Sequence, residues 1–391
     1  MKFYRWLFLP VWLGIVLAIS ASEPGAVFAQ PATENASTDF GQALCLPDVY
    51  AVQPADCLLQ GPAQALSAYG ELGITFPPLP LPLATPTYDL NRISFQYAKV
   101  NDGVVPVYGS LEDAIASRQV RIMPAGANRY VSYTYREKTP KATFYRLNNG
   151  EWINRDNITP VGVPVFQGFE IKGDLRVSFG WILYETASQR TPGYKNPAIV
   201  KQYWRNDLVR VYETQTIDGV DWLMIGPDEW IEDRLVNRVA VENPVPEGVD
   251  TNRWVEVNLN EQVLSIHEQG KLVFATPISS GRDPFFTKPG LFKIYQKLEV
   301  DKMTGSFESD RSDYYYFEDV PYIMYYDQKR ALHAAYWNTF LGHPSSHGCI
   351  NLSVGDSHWV FDWANEGDYV YVWDPSGKTP TDPSKYGAGG F

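Results

Sequence analysis

Apolar and polar positions alternate along much of this chain in short runs broken by Gly, Pro, Asn and Asp, the pattern of half-buried strands joined by turns. The sequence Trp254-Val255-Glu256-Val257-Asn258-Leu259 reads as such a strand, Asn260-Glu261-Gln262 as its turn, and Val263-Leu264-Ser265-Ile266 as the return. Further strand-like pieces lie at Leu272 to Ile278, Gly290 to Gln296, Tyr322 to Tyr326, Ala331 to Ala335 and Tyr369 to Trp373. A helix is predicted from Ser353 to Asn365, where Val354, Trp359, Val360, Trp363 and Ala364 fall roughly on one side. The stretch 251–374 is therefore predicted to be a compact β-sandwich or barrel.

Upstream, from about Ile93 to Val241, short β-like runs form a diverged repeat. Val107-Tyr108 and Asn149-Gly150-Glu151-Trp152-Ile153 are echoed by Val211-Tyr212 and Pro227-Asp228-Glu229-Trp230-Ile231, with a longer insertion in the first copy. Two small antiparallel barrel-like modules are expected, at 91–165 and 166–245, with Trp152 and Trp230 as core anchors. The pattern loosely resembles bacterial wall-binding barrels of Src-homology type. Residues 30–90 are rich in Pro and small residues and are expected to form an extended spacer, with a short helix possible around Ala63 to Leu72. The tail, 375–391, has too few apolar residues to pack and is expected to be disordered.

Residues 1–29 place Lys2 and Arg5 before an apolar run and end in Val27-Phe28-Ala29, which reads as a signal peptide cleaved after Ala29. An uncleaved anchor is the alternative, and both put the remaining chain outside the cytoplasm, in the cell envelope. With 33 Lys+Arg against 45 Asp+Glu the formal net charge is -12, which argues against a general nucleic-acid binder. The 25 Tyr, 19 Phe and 12 Trp reinforce a mainly β reading.

Cys45 and Cys57 suit a small disulfide loop in an oxidising compartment, the alternative being two free buried thiols. Cys349 is left over, and it stands in Ser346-His347-Gly348-Cys349-Ile350-Asn351 with His333 upstream. A thiol nucleophile needs a base, a tight turn that exposes sulfur, and amide donors for an oxyanion. Gly348 allows the turn, and His333 suits the base because His347 is held within the same turn as the thiol. A zinc site built from these histidines and Cys349 matches no familiar ligand spacing, so no metal and no cofactor are expected.

These residues strongly resemble the catalytic domain of the L,D-transpeptidase (YkuD-type) family, whose signature is a His followed at a distance by Ser/Thr-His-Gly-Cys. The likeness extends through Trp254 to Leu259, Ser280-Gly281, Thr287-Lys288-Pro289-Gly290 and His333-Ala334-Ala335-Tyr336-Trp337 to Leu352. Ala334 replaces the Gly common after the first His, and the linker of 12 residues to Ser346 is short for the family. The resemblance implies that Cys349, activated by His333, attacks a peptidoglycan stem tetrapeptide, expels D-alanine and forms a thioacyl-enzyme. A neighbouring stem then resolves it into a third-to-third crosslink. It further implies that the Ala334 carbonyl orients His333, that the His347, Gly348 and Cys349 amides form the oxyanion hole, and that Ser346 and Asn351 brace the turn. Tyr322 and Trp337 are expected in the substrate groove, and carbapenem-type inhibitors are expected ligands. The alternatives are a cysteine L,D-carboxypeptidase or hydrolase that trims stems or crosslinks, and a non-catalytic wall-binding protein.

Overall fold

The computed structural model describes residues 43–44, 57–58 and 62–386, apart from 196, 242, 243, 307 and 309. The expected signal peptide, 1–29, and the expected Cys45–Cys57 disulfide lie outside the described residues. The architecture is mainly β, 44% strand and 11% helix, and among the described residues no sheet closes into a barrel.

Two large sheets face each other. The seven-stranded one runs in the order Gly290–Lys293, Tyr369–Trp373, Arg253–Asn258, Val263–Glu268, Lys271–Pro277, Phe169–Ile171, Leu83–Ala84. The nine-stranded one has the path Ile158–Val161, Gln96–Val100, Asn128–Lys138, Tyr315–Asp327, Arg330–Ala334, Ile350–Leu352, with Gln296–Gly305 hairpinned onto Tyr315–Asp327. Their inner faces supply Val255, Leu264, Phe274, Met324, Leu332, Ile350 and Val370 to one core, closed by Val360 of the helix Val354–Trp363 and by Ala364 just after it. Ser353 caps that helix through a 3.1 Å bond from the Asp356 amide to its hydroxyl. Asp356 is fully buried, and its carboxylate accepts from the Gly168 amide at 2.8 Å and the Thr276 hydroxyl at 2.6 Å, tying helix, sheet and an upstream loop together.

The strands expected in an upstream module are thus continuous with the sheet that carries His333. The strand Asn128–Lys138 pairs parallel with Tyr315–Asp327, and Phe169–Ile171 pairs with Lys271–Pro277. Trp152 and Trp230 are both buried, Trp152 beside Tyr108 and Phe144, and Trp230 beside Trp222 and Met224. From residue 62 the expected spacer is packed: a helix spans Pro62–Glu71, Ile74 joins the Trp222–Trp230 cluster, and Leu81 and Leu83 pack against the Trp181 cluster. Proline excludes ladders but not burial: Leu81, between Pro80 and Pro82, finds a face to cover, whereas Phe76 and Leu79 stay exposed. The tail departs from expectation in the same way. Up to residue 386 it is ordered, with Tyr386 buried, its carbonyl accepting from the Arg330 guanidinium and its ring 5.7 Å from that group.

Candidate active site

The strand Arg330–Ala334 runs parallel to Ile350–Leu352 with His333 opposite Asn351. Cys349 directly precedes the second strand, two positions before Asn351, so period two turns His333, Asn351 and Cys349 to one face. All three line a cavity of about 590 Å³ together with Ser346, His347 and Trp337.

The turn that presents the sulfur is held from within and from behind. The Ser346 hydroxyl accepts from the Gly348 amide at 3.0 Å and donates to the Cys349 carbonyl at 2.6 Å. Gly348 has φ +114°, a conformation that disfavours any side chain. Behind it, Thr287 donates to the Gly348 carbonyl at 2.9 Å, and a Cβ on Gly281 would lie 2.8 Å from the Gly348 Cα. The Gly348 amide is therefore spent inside the turn, which corrects the expectation that it faces an oxyanion; the backbone amides of His347 and Cys349 remain the candidates.

His333 is buried, and its Nδ1 lies 3.2 Å from the Ala334 carbonyl. A carbonyl only accepts, so Nδ1 carries the proton in that bond and Nε2 is left as the basic nitrogen. Burial pulls the imidazole down to about 4, a pull that the Ala334 carbonyl only partly offsets. Burial likewise pushes the half-buried Cys349 thiol up, against the Ala331 backbone hydrogen bond and the nearby Arg330 charge, both of which favour thiolate. The sulfur lies 3.7 Å from the Lys329 carbonyl. The two groups thus rest as a thiol and a neutral imidazole.

Arg330 itself is 2% exposed, 2.9 Å from Asp327, with its guanidinium against Gly348. His347 sits between Phe285 and Tyr315, with ring centroids at 4.7 and 5.3 Å, and burial lowers its pKa. Trp337 stacks on Phe317 at 3.6 Å and stands 5.7 Å from the His333 ring.

Tyr322 is not in the cavity. It stacks on His358 at 4.1 Å, and its carbonyl accepts from Ser357 of the helix. Tyr315, Phe317 and Tyr325 of the same strand line the cavity, but Asp319 and Tyr322 have positive φ, which interrupts the alternation and turns Tyr322 toward His358 and Phe361. Sequence reasoning missed Asn128, Tyr130, Tyr295 and Asp301, which also line it, and Arg330 behind the turn. Asn128 and Tyr130 carry no local signal, because a remote parallel pairing brings them there. Among the described residues no group of three or more His, Cys, Asp or Glu is placed to hold a metal ion.

Residues 252–372 match the family model described as the L,D-transpeptidase catalytic domain, YkuD. The L,D-transpeptidase 2 of Mycobacterium tuberculosis (strain CDC 1551 / Oshkosh) is 28% identical over 130 residues, which make up 31% of this chain and 31% of that relative. Among solved structures, the C442S mutant of the Enterococcus faecium L,D-transpeptidase is 26% identical, covering 31% of this chain and 50% of its own, with TM-score 0.29. The catalytic domain of the E. faecium L,D-transpeptidase acylated by ertapenem is 27% identical, covering 32% of this chain and all of its own, also with TM-score 0.29. The matched stretch thus spans about a third of the curated relative and half of the first of these structures.

Proposed function

We propose that this chain is an exported L,D-transpeptidase that joins peptidoglycan stems through a thioacyl-enzyme on Cys349. The observation that carries the reading is that Cys349 and a buried, neutral His333 line one cavity inside the stretch matching the transpeptidase family. The Cys349 sulfur attacks the carbonyl carbon of the third residue of a stem tetrapeptide while its proton passes to His333 Nε2. The amides of His347 and Cys349 receive the oxyanion. The C–N bond to D-alanine then breaks, and His333 returns the proton to the leaving amine. The side-chain amine of a second stem attacks the thioester, forms the new amide and releases the thiol. Carbapenem-type inhibitors are expected to acylate the same sulfur. The leader 1–29 directs export to the cell envelope, and the modules at 91–165 and 166–245 hold the catalytic stretch at the wall.

Intact-mass spectrometry of the chain mixed with a disaccharide tetrapeptide tests this, with Cys349→Ala and a carbapenem alongside. A transient adduct and a crosslinked dimer, both absent in Cys349→Ala, are the expected result. Tripeptide without dimer would instead indicate a carboxypeptidase, and no adduct with either probe would indicate a binding protein.

A further inference from the structure

We infer that Asn128, outside the family-matched stretch, is a specificity-determining residue that reads a peptide amide of the donor stem. The inference rests on the transpeptidase reading above. The parallel register sets Asn128 beside Tyr315 and Tyr130 beside Phe317, and all four line the cavity that holds Cys349 and His333. The intervening Arg129 and its partner Tyr316 point the other way. Arg129 is fully buried, and its guanidinium donates to the carbonyls of Gly126 at 2.8 Å and Gly103 at 2.7 Å, and also to those of Asn101 and Pro124. The Tyr316 hydroxyl bonds Glu318 at 2.6 Å. These anchors fix the strand, so Asn128 and Tyr130 stand on a rigid element, as a recognition wall requires.

Tyr130, Tyr315 and Phe317 make this wall aromatic, and Asn128 adds a side-chain amide to it, as Gln296, Gln328, Asn338 and Asn351 do elsewhere in the cavity. Among the described residues no group hydrogen-bonds the Asn128 side chain. A carboxamide presents a donor and an acceptor together, which matches the C=O and N–H of an extended peptide and matches an isolated charge poorly. An aromatic wall with one unspent amide beside a nucleophilic thiol is therefore suited to hold a peptide in register.

The test compares wild type, Asn128→Ala and Asn128→Ser in the full chain, with tetrapeptide turnover and alkylation of Cys349 by iodoacetamide as readouts. Loss of one neutral hydrogen bond predicts a KM about five- to tenfold higher in both variants, with kcat nearly unchanged. Iodoacetamide, which needs no peptide recognition, should react at the wild-type rate. An unchanged KM beside normal wild-type turnover would overturn the inference alone, as would a KM rise accompanied by an equal loss of alkylation, which would mean that the wall had moved. A wild type that turns over no tetrapeptide would overturn the transpeptidase reading and this inference with it. Asn128→Ser keeps the experiment decisive if Asn128→Ala does not fold.

Discussion

Replacing Asp356 with Asn should change stability by an amount that depends on pH. The carboxyl is fully buried, and burial lifts it to about 6 although Thr276, Gly168 and Ser353 all bond it. A carboxyl whose pKa is higher folded than unfolded contributes stability that is full below the unfolded value near 3.8 and is lost as pH rises through the folded one. The gap of roughly two units corresponds to about 3 kcal/mol in all, of which the wild type loses about 2.5 kcal/mol between pH 4 and pH 7. Asp356→Asn keeps the shape and one acceptor but cannot ionise. His333 shifts in the opposite direction over the same range, but it is present in both proteins and cancels from the difference. Urea unfolding followed by Trp fluorescence at pH 4 and pH 8 measures it. The stability of Asp356→Asn relative to wild type should rise by about 2.5 kcal/mol from the lower to the higher pH. A difference that stays flat across that range would show that the hydrogen bonds overcome desolvation, and the reasoning about this buried staple would be refuted.

Further outcomes follow from the site. The acylation rate should hold down to about pH 4 to 5, where a histidine at its ordinary value would already be protonated, and His333→Gln should lower it about 10²- to 10⁴-fold; stopped-flow carbapenem acylation across pH checks both. Arg330→Met breaks a buried pair with Asp327 and removes a cation beside the thiol, so chemical denaturation should show a loss of about 3 to 5 kcal/mol. The pH midpoint of iodoacetamide alkylation of Cys349 should move upward in the same variant. Gly281→Ala places a Cβ 2.1 Å from the Phe285 carbonyl and 2.8 Å from the Gly348 Cα, so the sulfur should shift and the acylation rate fall at least tenfold while circular dichroism stays that of a folded β protein.

Much of the site was legible because it is local. Ser346, Gly348 and Cys349 lie within four residues, and a Gly between a hydroxyl and a thiol marks a turn whatever surrounds it. His333 was found through its place at the end of an apolar run, which is indeed the strand Arg330–Ala334. The role of Gly348 was only half legible: its conformation was expected, but not that the Ser346 hydroxyl would take its amide. Tyr322 departs from expectation because a run of aromatics does not show where a strand breaks its alternation, as this one does at the positive φ of Asp319 and Tyr322.

By itself, the sequence determined the mainly β character through its period of two, the helix after Ser353 through its one-sided apolar pattern, and the tight turn beside Cys349 through residue type and spacing. Only the tertiary structure decided that Asn128 and Tyr130 wall the cavity, that Arg330 backs the turn, and that Leu81, Leu83 and Tyr386 anchor the proline-rich stretch and the tail. The physical reason lies in the range of the interactions. Alternation, caps and turns are written between neighbouring residues, whereas strand pairing and burial join segments whose partners no local pattern names.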